Sequence, residues 1–347
     1  MSIYEYVGNP HVHTRYSDGE ALHVDVIQAA ADAGLDFVIT TDHNVWVNGC
    51  ERYYGKRLLL VGEEVHDVRH QPPANHLLAY NAAGELAPLA PDPQGLINAI
   101  NERGGLAFLA HPFEYRSPIS PEMMAIPWVD WNVQGYAGIE IWNYMSEFKA
   151  LLRSKLSAIY FAYFPVRGIR GPFRATLRQW DQLLARGQRI AAIGGADAHG
   201  TTYPEGLLKR AVFSYAYVFR CINTHILTDR PLSRRLEQDK SLIYDTLRAG
   251  HTWVGYDLIG STAGFRYTAH SLNNRASMGD ELRRTGATVF EVLTPQSGDI
   301  RLVAQGQVVA RAKGKGLKFT TAQPGAYRVE VYRRGRGWIF SSPIYVV

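Results

Sequence analysis

Histidine and carboxylate side chains recur at the ends of short apolar segments in this sequence. They are His11, His13, Asp18, Asp42, His43, Glu63, Glu64, His76, His111, Glu140, Asp197 and His199. His11 and His13 are two residues apart, as are Asp197 and His199, and on a strand such a pair faces one way. Imidazole nitrogens and carboxylate oxygens are the ligands of Zn, Mn and Fe ions. A single ion cannot use so many donors and keep an open position, so the pattern predicts two or three divalent ions.

Each of these elements also has an ordinary structural interpretation. A lone H-x-H or D-H is usually a hydrogen-bonded pair, and Asp18 in S-D-G is a typical turn residue. The convergence of five segment ends favours a metal centre. Such a centre would use a hydroxide held between ions as its nucleophile. The remaining histidines follow no such pattern and are predicted to be structural or exposed; they are His23, His66, His70, His225, His251 and His270.

The apolar segments that carry these residues alternate with amphipathic stretches. HVHT (11–14), FVITTD (37–42) and RLLLVGEEV (57–65) are predicted strands, and HVDVIQAAADAGLD is a predicted helix that ends at Gly34. Strands that are apolar throughout and separated by helices are typical of a parallel sheet covered on both faces. Residues 1–258 are therefore predicted to form an α/β barrel or doubly wound sheet. The strand ends of a barrel would bring the histidines and carboxylates to one face.

Two insertions and a change of pattern divide the chain further. The insertions are residues 113–136, rich in Pro and Trp, and residues 144–188, predicted to be helical. From 259 to 347 the sequence shows alternation and turns, which predicts an antiparallel β-sandwich of about seven strands. This part has thirteen Lys and Arg against five Asp and Glu, and one of the twelve histidines. A solvated surface is the first interpretation of this charge, and an anionic partner is the alternative.

Composition excludes several classes of protein. The chain has 347 residues with 46% hydrophobic and 20% charged residues, which is typical of folded globular proteins. Two cysteines cannot form a disulfide framework, and the first twenty residues lack a secretory signal. No apolar stretch is long enough to span a bilayer. We therefore expect a cytoplasmic protein with no membrane partner.

The motifs H-V-H-T-R-Y-S-D-G, T-T-D-H, G-E-E, A-H-P, G-I-E-I-W-N and G-A-D-A-H resemble, in this order, those of the PHP (polymerase and histidinol phosphatase) metallohydrolases. The resemblance covers about 1–258 and implies a distorted (β/α)7 barrel with a trinuclear metal site. By motif position it implies nine ligands, namely His11, His13, Asp18, His43, Glu64, His76, His111, Asp197 and His199. It also implies that Glu64 bridges the metals, and we take Glu64, Asp197 and His199 as the candidate catalytic residues.

Four further residues are candidate contacts of the substrate. Glu140 and Asn143 match a family E-x-x-N pattern, and are expected to order a ligand or to contact substrate. Arg167 and Arg170 precede the segment that carries Asp197. An exposed basic surface is the first interpretation of both arginines. The alternative is that they lie over the mouth of the site, where Arg suits phosphate oxygens.

The end of the chain, G-W-I-F-S-S-P-I-Y-V-V, resembles that of CehA/McbA-type PHP hydrolases, whose known members cleave aryl carbamates. The resemblance implies an immunoglobulin-like β-sandwich over 259–347. The leading expectation is a phosphoesterase that acts on a small, anionic substrate. Ester, carbamate or amide hydrolysis is the alternative. A third hypothesis is a non-catalytic polyanion-binding protein, and nucleic acid is not an expected partner.

Overall fold

The chain folds as a mixed α/β protein, in a computed structural model that describes residues 3–119, 124–200, 202–203, 210–211 and 213–347. The helices are α1 (His23–Ala33), α2 (Pro93–Glu102), α3 (Tyr144–Leu151), α4 (Lys155–Tyr163), α5 (Pro165–Gly168), α6 (Arg174–Ala185), α7 (Tyr215–Val218) and α8 (Leu236–Ala249), with 3-10 turns at Ala87–Leu89 and Asp257–Ile259. Among the described residues, none of the helices has the length and apolar character needed to cross a lipid bilayer.

The strands of the first part are β1 (Tyr4–Asn9), β2 (Phe37–Thr40), β3 (Arg52–Tyr54), β4 (Arg57–Val65), β5 (Leu77–Tyr80), β6 (Leu106–Leu109), β7 (Gly138–Asn143), β8 (Ala191–Gly195), β9 (Thr202–Tyr203), β10 (Arg210–Ala211), β11 (Ile222–Thr228) and β12 (Thr252–Tyr256). β4 has the predicted bounds. The predicted helix end at Gly34 is also confirmed, because this residue has φ +88° and closes α1 in the left-handed conformation.

The main sheet of this part is mixed rather than parallel. Its order is β8-β7-β6-β5-β4-β2-β1-β11-β12. The pairs β1–β2, β2–β4, β6–β7 and β7–β8 are parallel, whereas β4–β5, β5–β6, β1–β11 and β11–β12 are antiparallel. Residues 66–76 link β4 to β5 without a helix. A link of this kind reverses the chain, because a parallel partner needs a longer crossover.

Both faces of these strands are buried, as their continuous apolar sequences predict. In β2, Phe37 and Ile39 pack in one core cluster, and Val38 between them packs in another. Threonine side chains of β11 and β12 form hydrogen bonds with β8, which lies at the opposite end of the strand order. Thr224 on β11 donates to the carbonyl of Gly194 on β8 at 2.7 Å, and Thr252 on β12 donates to that of Ala192 at 2.7 Å.

The remainder of the chain is built from β13 (Arg266–Ser271), β14 (Asn274–Ser277), β15 (Glu281–Leu282), β16 (Thr288–Ala304), β17 (Gln307–Thr321), β18 (Gly325–Arg333), β19 (Arg336–Ser341) and β20 (Ile344–Val346). Its strands pair antiparallel except for β15 with β20. β16 and β17 are 17 and 15 residues long. β12 of the first part pairs with β19, so the sheet continues from one part of the chain into the other.

A buried histidine lies beside this junction. His225 on β11 lies with Nε2 3.0 Å from Oδ2 of Asp257 and with Nδ1 3.4 Å from Oε1 of Glu5. Burial opposes the charged imidazolium, but the two carboxylates outweigh it and raise the pKa of His225 to about 9. The histidine is thus charged at neutral pH and ties β11 to the turn that begins the second part.

We expect this group to make stability depend on pH. The folded-state pKa exceeds the unfolded value of 6.5, so the stabilisation is complete below pH 6.5 and is lost as pH rises through about 9. The loss should be on the order of 3 kcal/mol in the free energy of unfolding. Urea unfolding of the wild type and the His225→Gln variant across this range measures it. Stability curves that stay parallel for the two proteins would contradict the assignment.

Candidate metal centre

His11 and His13 follow directly after β1. The sequence predicts a strand over 11–14, but β1 ends at Asn9, because Pro10 has no N–H to continue the pairing. Val12 forms an isolated parallel bridge with Ala198 and is fully buried. This one bridge preserves the alternation of an extended chain, so the two imidazoles still face the same side.

Glu64, at the end of β4, lies at the centre of the cluster and is fully buried. Its Oε2 is 3.0 Å from His11 Nε2 and 3.1 Å from His13 Nε2. Its Oε1 is 2.8 Å from His76 Nδ1 and 3.1 Å from His111 Nε2. The two oxygens of one carboxylate therefore face two different pairs of histidines.

Glu63 faces away from this cluster. Its Oε2 accepts the backbone N–H of Leu86 at 3.1 Å. Burial, together with the neighbouring Glu85, raises the pKa of Glu63 to about 9, so this side chain is neutral at pH 7. Of the two adjacent glutamates, the structure thus brings only Glu64 to the histidines.

Asp197 and Asp18 are the other carboxylates of the cluster. Asp197 Oδ1 is 3.1 Å from His13 Nε2, and Asp18 Oδ2 is 3.3 Å from His199 Nε2. Asp197 is nearly buried, whereas the side chain of Asp18 is 56% exposed. Asp18, His43 and His199 therefore form the side of the cluster that solvent can reach.

These side chains form four overlapping groups whose donor atoms lie within 4.8 Å of one another. The groups are His13, Asp18, His43 and His199; His43, His66 and His76; His11, His13, Glu64 and Asp197; and Glu64, His76 and His111. All nine residues proposed as ligands from the sequence belong to at least one group. The structure thus brings the complete set together.

His66 was missed by the sequence reasoning, which placed it among the structural or exposed histidines. Its ring stacks on that of His76 with centroids 4.2 Å apart, and it meets His43 edge-on at 5.0 Å. The available signal was its position two residues after Glu64, directly after the same strand. Alternation then directs both side chains to one side.

The charges of the cluster call for a cation. Burial opposes protonation of His13, but Asp197 and Glu64 outweigh it and raise the pKa to about 10. His111 is likewise raised to about 9, mainly by its hydrogen bond to Glu64 against the effect of burial. Burial favours the neutral form of Glu64, yet the surrounding histidines hold its pKa well below the usual range. Protonated histidines therefore balance the negative charge of the carboxylates when no metal cation is bound.

Unsatisfied ring nitrogens show that metal ions fit these residues. Nδ1 of His13, His43 and His111 is buried without a hydrogen-bond partner among the described residues. A buried imidazole nitrogen with no partner is costly unless a ligand meets it. Together with the carboxylates, these nitrogens are donors of the types that Zn, Mn and Fe ions take.

Two donors have a strained backbone. His111 and Asp197 have φ of +25° and +53°, a region that residues other than glycine rarely adopt. Strain of this kind costs on the order of 1–3 kcal/mol for each residue and is concentrated at functional sites. The fold therefore holds these two side chains in place against a local preference.

Glu140 and Asn143 lie behind the donors. Both Glu140 oxygens are within 3.2 Å of His11 Nδ1, and Asn143 Nδ2 donates to Asp197 Oδ2 at 3.2 Å and to Glu140 Oε2 at 3.0 Å. Both residues are buried. Neither residue lines the pocket in front of the donors. Of the two roles expected for them, their position suits the ordering of donor side chains.

Arg167 and Arg170 are exposed, as the first interpretation expects, and do not lie over the mouth of the site. The Arg167 guanidinium donates to the Tyr160 hydroxyl at 2.9 Å and lies over the Phe164 ring. Arg170 lines a groove against the second part of the chain, and its carbonyl accepts the N–H of Gly337 at 2.7 Å. Neither arginine is among the described residues that line the pocket in front of the histidine and carboxylate cluster. The loop is held against β19 instead of over the site.

The pocket in front of the cluster has a volume of about 380 Å³. One wall is made of the donor side chains. The other is largely apolar and contains Met124, Ile126, Met145, Phe148, Leu152 and Phe213. Lys149 also lines it, and its Nζ is 2.5 Å from Oε1 of Glu114.

No protein-family model matches the chain, and no curated protein matches it. Solved structures do match. Two of the structural neighbours are described as metal-dependent phosphoesterases. One is a two-domain protein from Bacteroides vulgatus containing a predicted PHP-like phosphoesterase, with a TM-score of 0.44 and 13% identity over 98% of this chain and 95% of that chain. The other, from Bifidobacterium adolescentis, is a candidate enzyme of this kind, with a TM-score of 0.34 and 18% identity over 58% and 90% of the two chains.

A third neighbour is an amidohydrolase from Chromobacterium violaceum, with a TM-score of 0.32 and 15% identity over 58% of this chain and 90% of that chain.

We expect the Glu140→Gln variant to bind divalent ions about 10- to 100-fold more weakly, because the carboxylate that orients His11 loses its charge. A competitive titration with a metal-sensitive dye measures the change. Glu147→Gln is the control, since Glu147 is also buried but bonds Trp142 and the backbone of Arg170 and Gly171. Equal affinities in the wild type and the Glu140→Gln variant would show that Glu140 does not support a ligand.

Proposed function

We propose that the chain is a metal-dependent hydrolase with two or three divalent ions, Zn, Mn or Fe. The observation that carries this proposal is the division of Glu64 between two donor groups. Oε2 lies with His11 and His13, and Oε1 lies with His76 and His111. A carboxylate arranged in this way is suited to bridge two ions, which is a common feature of hydrolytic metal centres.

The proposed ligands are His11, His13, Asp18, His43, Glu64, His76, His111, Asp197 and His199, with His66 as a further donor. Ions bound there would supply a Lewis acid and lower the pKa of water to near neutrality. Glu140 and Asn143 would fix His11 and Asp197, as described above. Nδ1 of His199 lies 2.8 Å from the Asp197 carbonyl, and Nε2 faces the half-exposed Asp18. His199 would thus contact the reacting group from the open side, and Asp197 from the buried wall of the same pocket.

Phosphoester hydrolysis is the leading reaction in this proposal. A centre with several ions suits the charge of a phosphoryl group, and Lys149 places an ammonium in the same pocket. A volume of about 380 Å³ fits a small molecule rather than a polymer. The apolar wall opposite the donors would hold an aromatic or aliphatic leaving group.

Hydrolysis of a carboxylic ester, carbamate or amide is the second candidate. Two observations favour it, namely the six apolar side chains of the wall and the pairing of Lys149 with Glu114, which neutralises the ammonium. A neutral aryl substrate would make use of this wall without needing a free cation.

One panel of substrates tests both reactions. The phosphate, acetate and carbamate esters of 4-nitrophenol share a leaving group, so differences in kcat/KM report the acyl or phosphoryl part alone. We expect turnover of the phosphate ester that depends on added Zn, Mn or Fe ions. Faster turnover of the acetate or carbamate would favour the second reaction, and no turnover of any ester with metal loaded would contradict the proposal.

We expect the Lys149→Met variant to separate the two candidates. If the ammonium contacts a phosphate, its loss raises KM for the phosphate ester about tenfold, since a hydrogen bond to a charged group contributes about 1.5–3 kcal/mol. KM for the acetate should stay within about threefold. Lys155→Met, on α4 outside the pocket, is the control. An equal change in KM for both esters would show that Lys149 does not recognise the phosphate group.

We propose a distorted (β/α)7 barrel for 1–258 and an immunoglobulin-like sandwich for 259–347. The strand order with its threonine links between β8 and the pair β11–β12 supports the barrel. The separate core cluster around Trp338 and Phe290 supports the sandwich. We also propose a cytoplasmic location, which the two free cysteines, Cys50 and Cys221, support.

A further inference from the structure

A large groove lies between the helical insertion and the second part of the chain. Its volume is about 1080 Å³. One side is formed by the start of α6 and the loop before it, and the other by β16, β17 and the turn between β18 and β19. Gly171, in the lining of the groove, packs closely against Gly337 on β19, because a Cβ on Gly337 would come within 3.1 Å of Gly171 Cα. The two sides of the groove are thus in contact at this point. The groove and the metal pocket have no described lining residue in common.

Seven cationic side chains line this groove against one carboxylate, Asp299. They are Arg170, Arg174, Arg301, Arg311, Lys313, Arg333 and Arg334. The formal charge of the described lining is therefore +6, whereas that of the whole 347-residue chain is +5. Such a concentration of one sign raises the local density of anions and costs stability through mutual repulsion.

Two of the arginines are held in place despite this repulsion. Arg301 on β16 lies directly opposite Arg311 on β17, and like charges in this position destabilise a sheet. Asp299 compensates by accepting from both. Arg311 bonds it through Nε and Nη2 at 2.6 and 2.8 Å, and Arg301 through Nη2 at 2.7 Å. The two guanidinium groups are thus oriented before any ligand arrives.

We propose that this groove binds a compact small molecule that carries several phosphate groups. Arginine forks suit phosphate oxygens, and cations on both sides would surround such a ligand. A single-stranded nucleic acid fits less well, because its recognition relies on aromatic stacking. Tyr332 is the one aromatic residue among the described lining, and the Arg301 guanidinium covers its ring at 4.2 Å.

A pair of charge-reversed variants tests the groove. Arg174→Glu/Lys313→Glu reverses one charge on each side. Arg178→Glu/Lys315→Glu is the matched control: Arg178 is one turn further along α6, Lys315 is two residues along β17, and both are exposed outside the lining. The two variants have the same net charge, so a difference in affinity between them is due to the position of the reversed charges.

Binding of inositol hexasulfate is measured by calorimetry on the metal-loaded protein. Sulfate esters mimic phosphate groups but bind metal ions weakly, so the metal pocket does not compete. We expect the Arg174→Glu/Lys313→Glu variant to bind at least about tenfold more weakly than the wild type, and the control variant to stay within about threefold. Inorganic phosphate, with a single group, should bind much more weakly than the hexasulfate.

Three results would overturn the proposal. The first is that the wild type does not bind the hexasulfate, and the second is that both variants bind it equally weakly. The third is that a short oligothymidylate binds more tightly than the hexasulfate and that its binding also depends on Arg174 and Lys313. The last result would assign the groove to nucleic acid. Because binding rather than turnover is measured, these outcomes are independent of the hydrolase assignment.

Discussion

Turnover by the Glu64→Gln variant should fall by about three orders of magnitude or more. Glu64 places one oxygen in each of two donor groups. An amide in its place removes the negative charge shared by the proposed ions and leaves one group without its oxygen donor. Stabilisation by metal ions at such centres amounts to several kcal/mol, and about 4 kcal/mol corresponds to about a thousandfold in rate. Steady-state kinetics and elemental analysis of the same sample measure turnover and bound metal together.

Glu63→Gln is the matched control for this variant. The two glutamates are adjacent and equally buried, but Glu63 bonds the Leu86 N–H and is already neutral, with a pKa of about 9. A neutral amide of the same size should leave kcat within about threefold. Retained activity in Glu64→Gln with full metal occupancy, or a comparable loss in Glu63→Gln, would show that the bridging role is wrongly assigned.

Removal of divalent ions should lower Tm by about 8 °C and abolish hydrolysis. Ions present at about a thousand times their Kd stabilise the folded state by about 4 kcal/mol, and each kcal/mol corresponds to about 2 °C in a chain of this size. The physical origin is the cluster itself, where buried carboxylates and unpaired imidazole nitrogens lose the cation that satisfies them. Scanning calorimetry before and after chelation, and after addition of Zn, Mn or Fe ions, measures the change.

Elemental analysis of the untreated protein should find two or three ions per chain. The Glu64→Gln variant is the reference for the thermal shift, because chelation should change its Tm much less. A wild-type Tm that does not respond to chelation, with metal shown to be absent afterwards, would mean that ions do not occupy the buried cluster.

The sequence predicted much of this site because its information is local. The segment RLLLVGEEV predicts both a strand and the position of Glu64 near its end, and β4 has the predicted bounds. Spacing of two residues was enough to align His11 with His13, even though Pro10 ends the regular strand before them. The direction of a side chain that is set by alternation along one extended segment can be predicted without knowledge of the rest of the fold.

Features that depend on packing between distant segments could not be predicted in this way. The position of Arg170 depends on a backbone hydrogen bond from Gly337, 167 residues away, and no local pattern records this contact. The contact of Glu140 with His11 likewise joins residues 129 positions apart in the sequence. His66 belongs to a different class, because the spacing from Glu64 that directs it to the cluster was present in the sequence.

The pairing of β12 with β19 has a consequence for the modularity of the chain. A fragment that ended at residue 258 would leave one edge of β12 without its partner, although Trp253 and Val254 are fully buried in the intact protein. Unpaired apolar edges of this kind recruit other chains and aggregate. The two parts of the chain therefore cannot be exchanged by recombination as independent units unless the replacement supplies an equivalent strand.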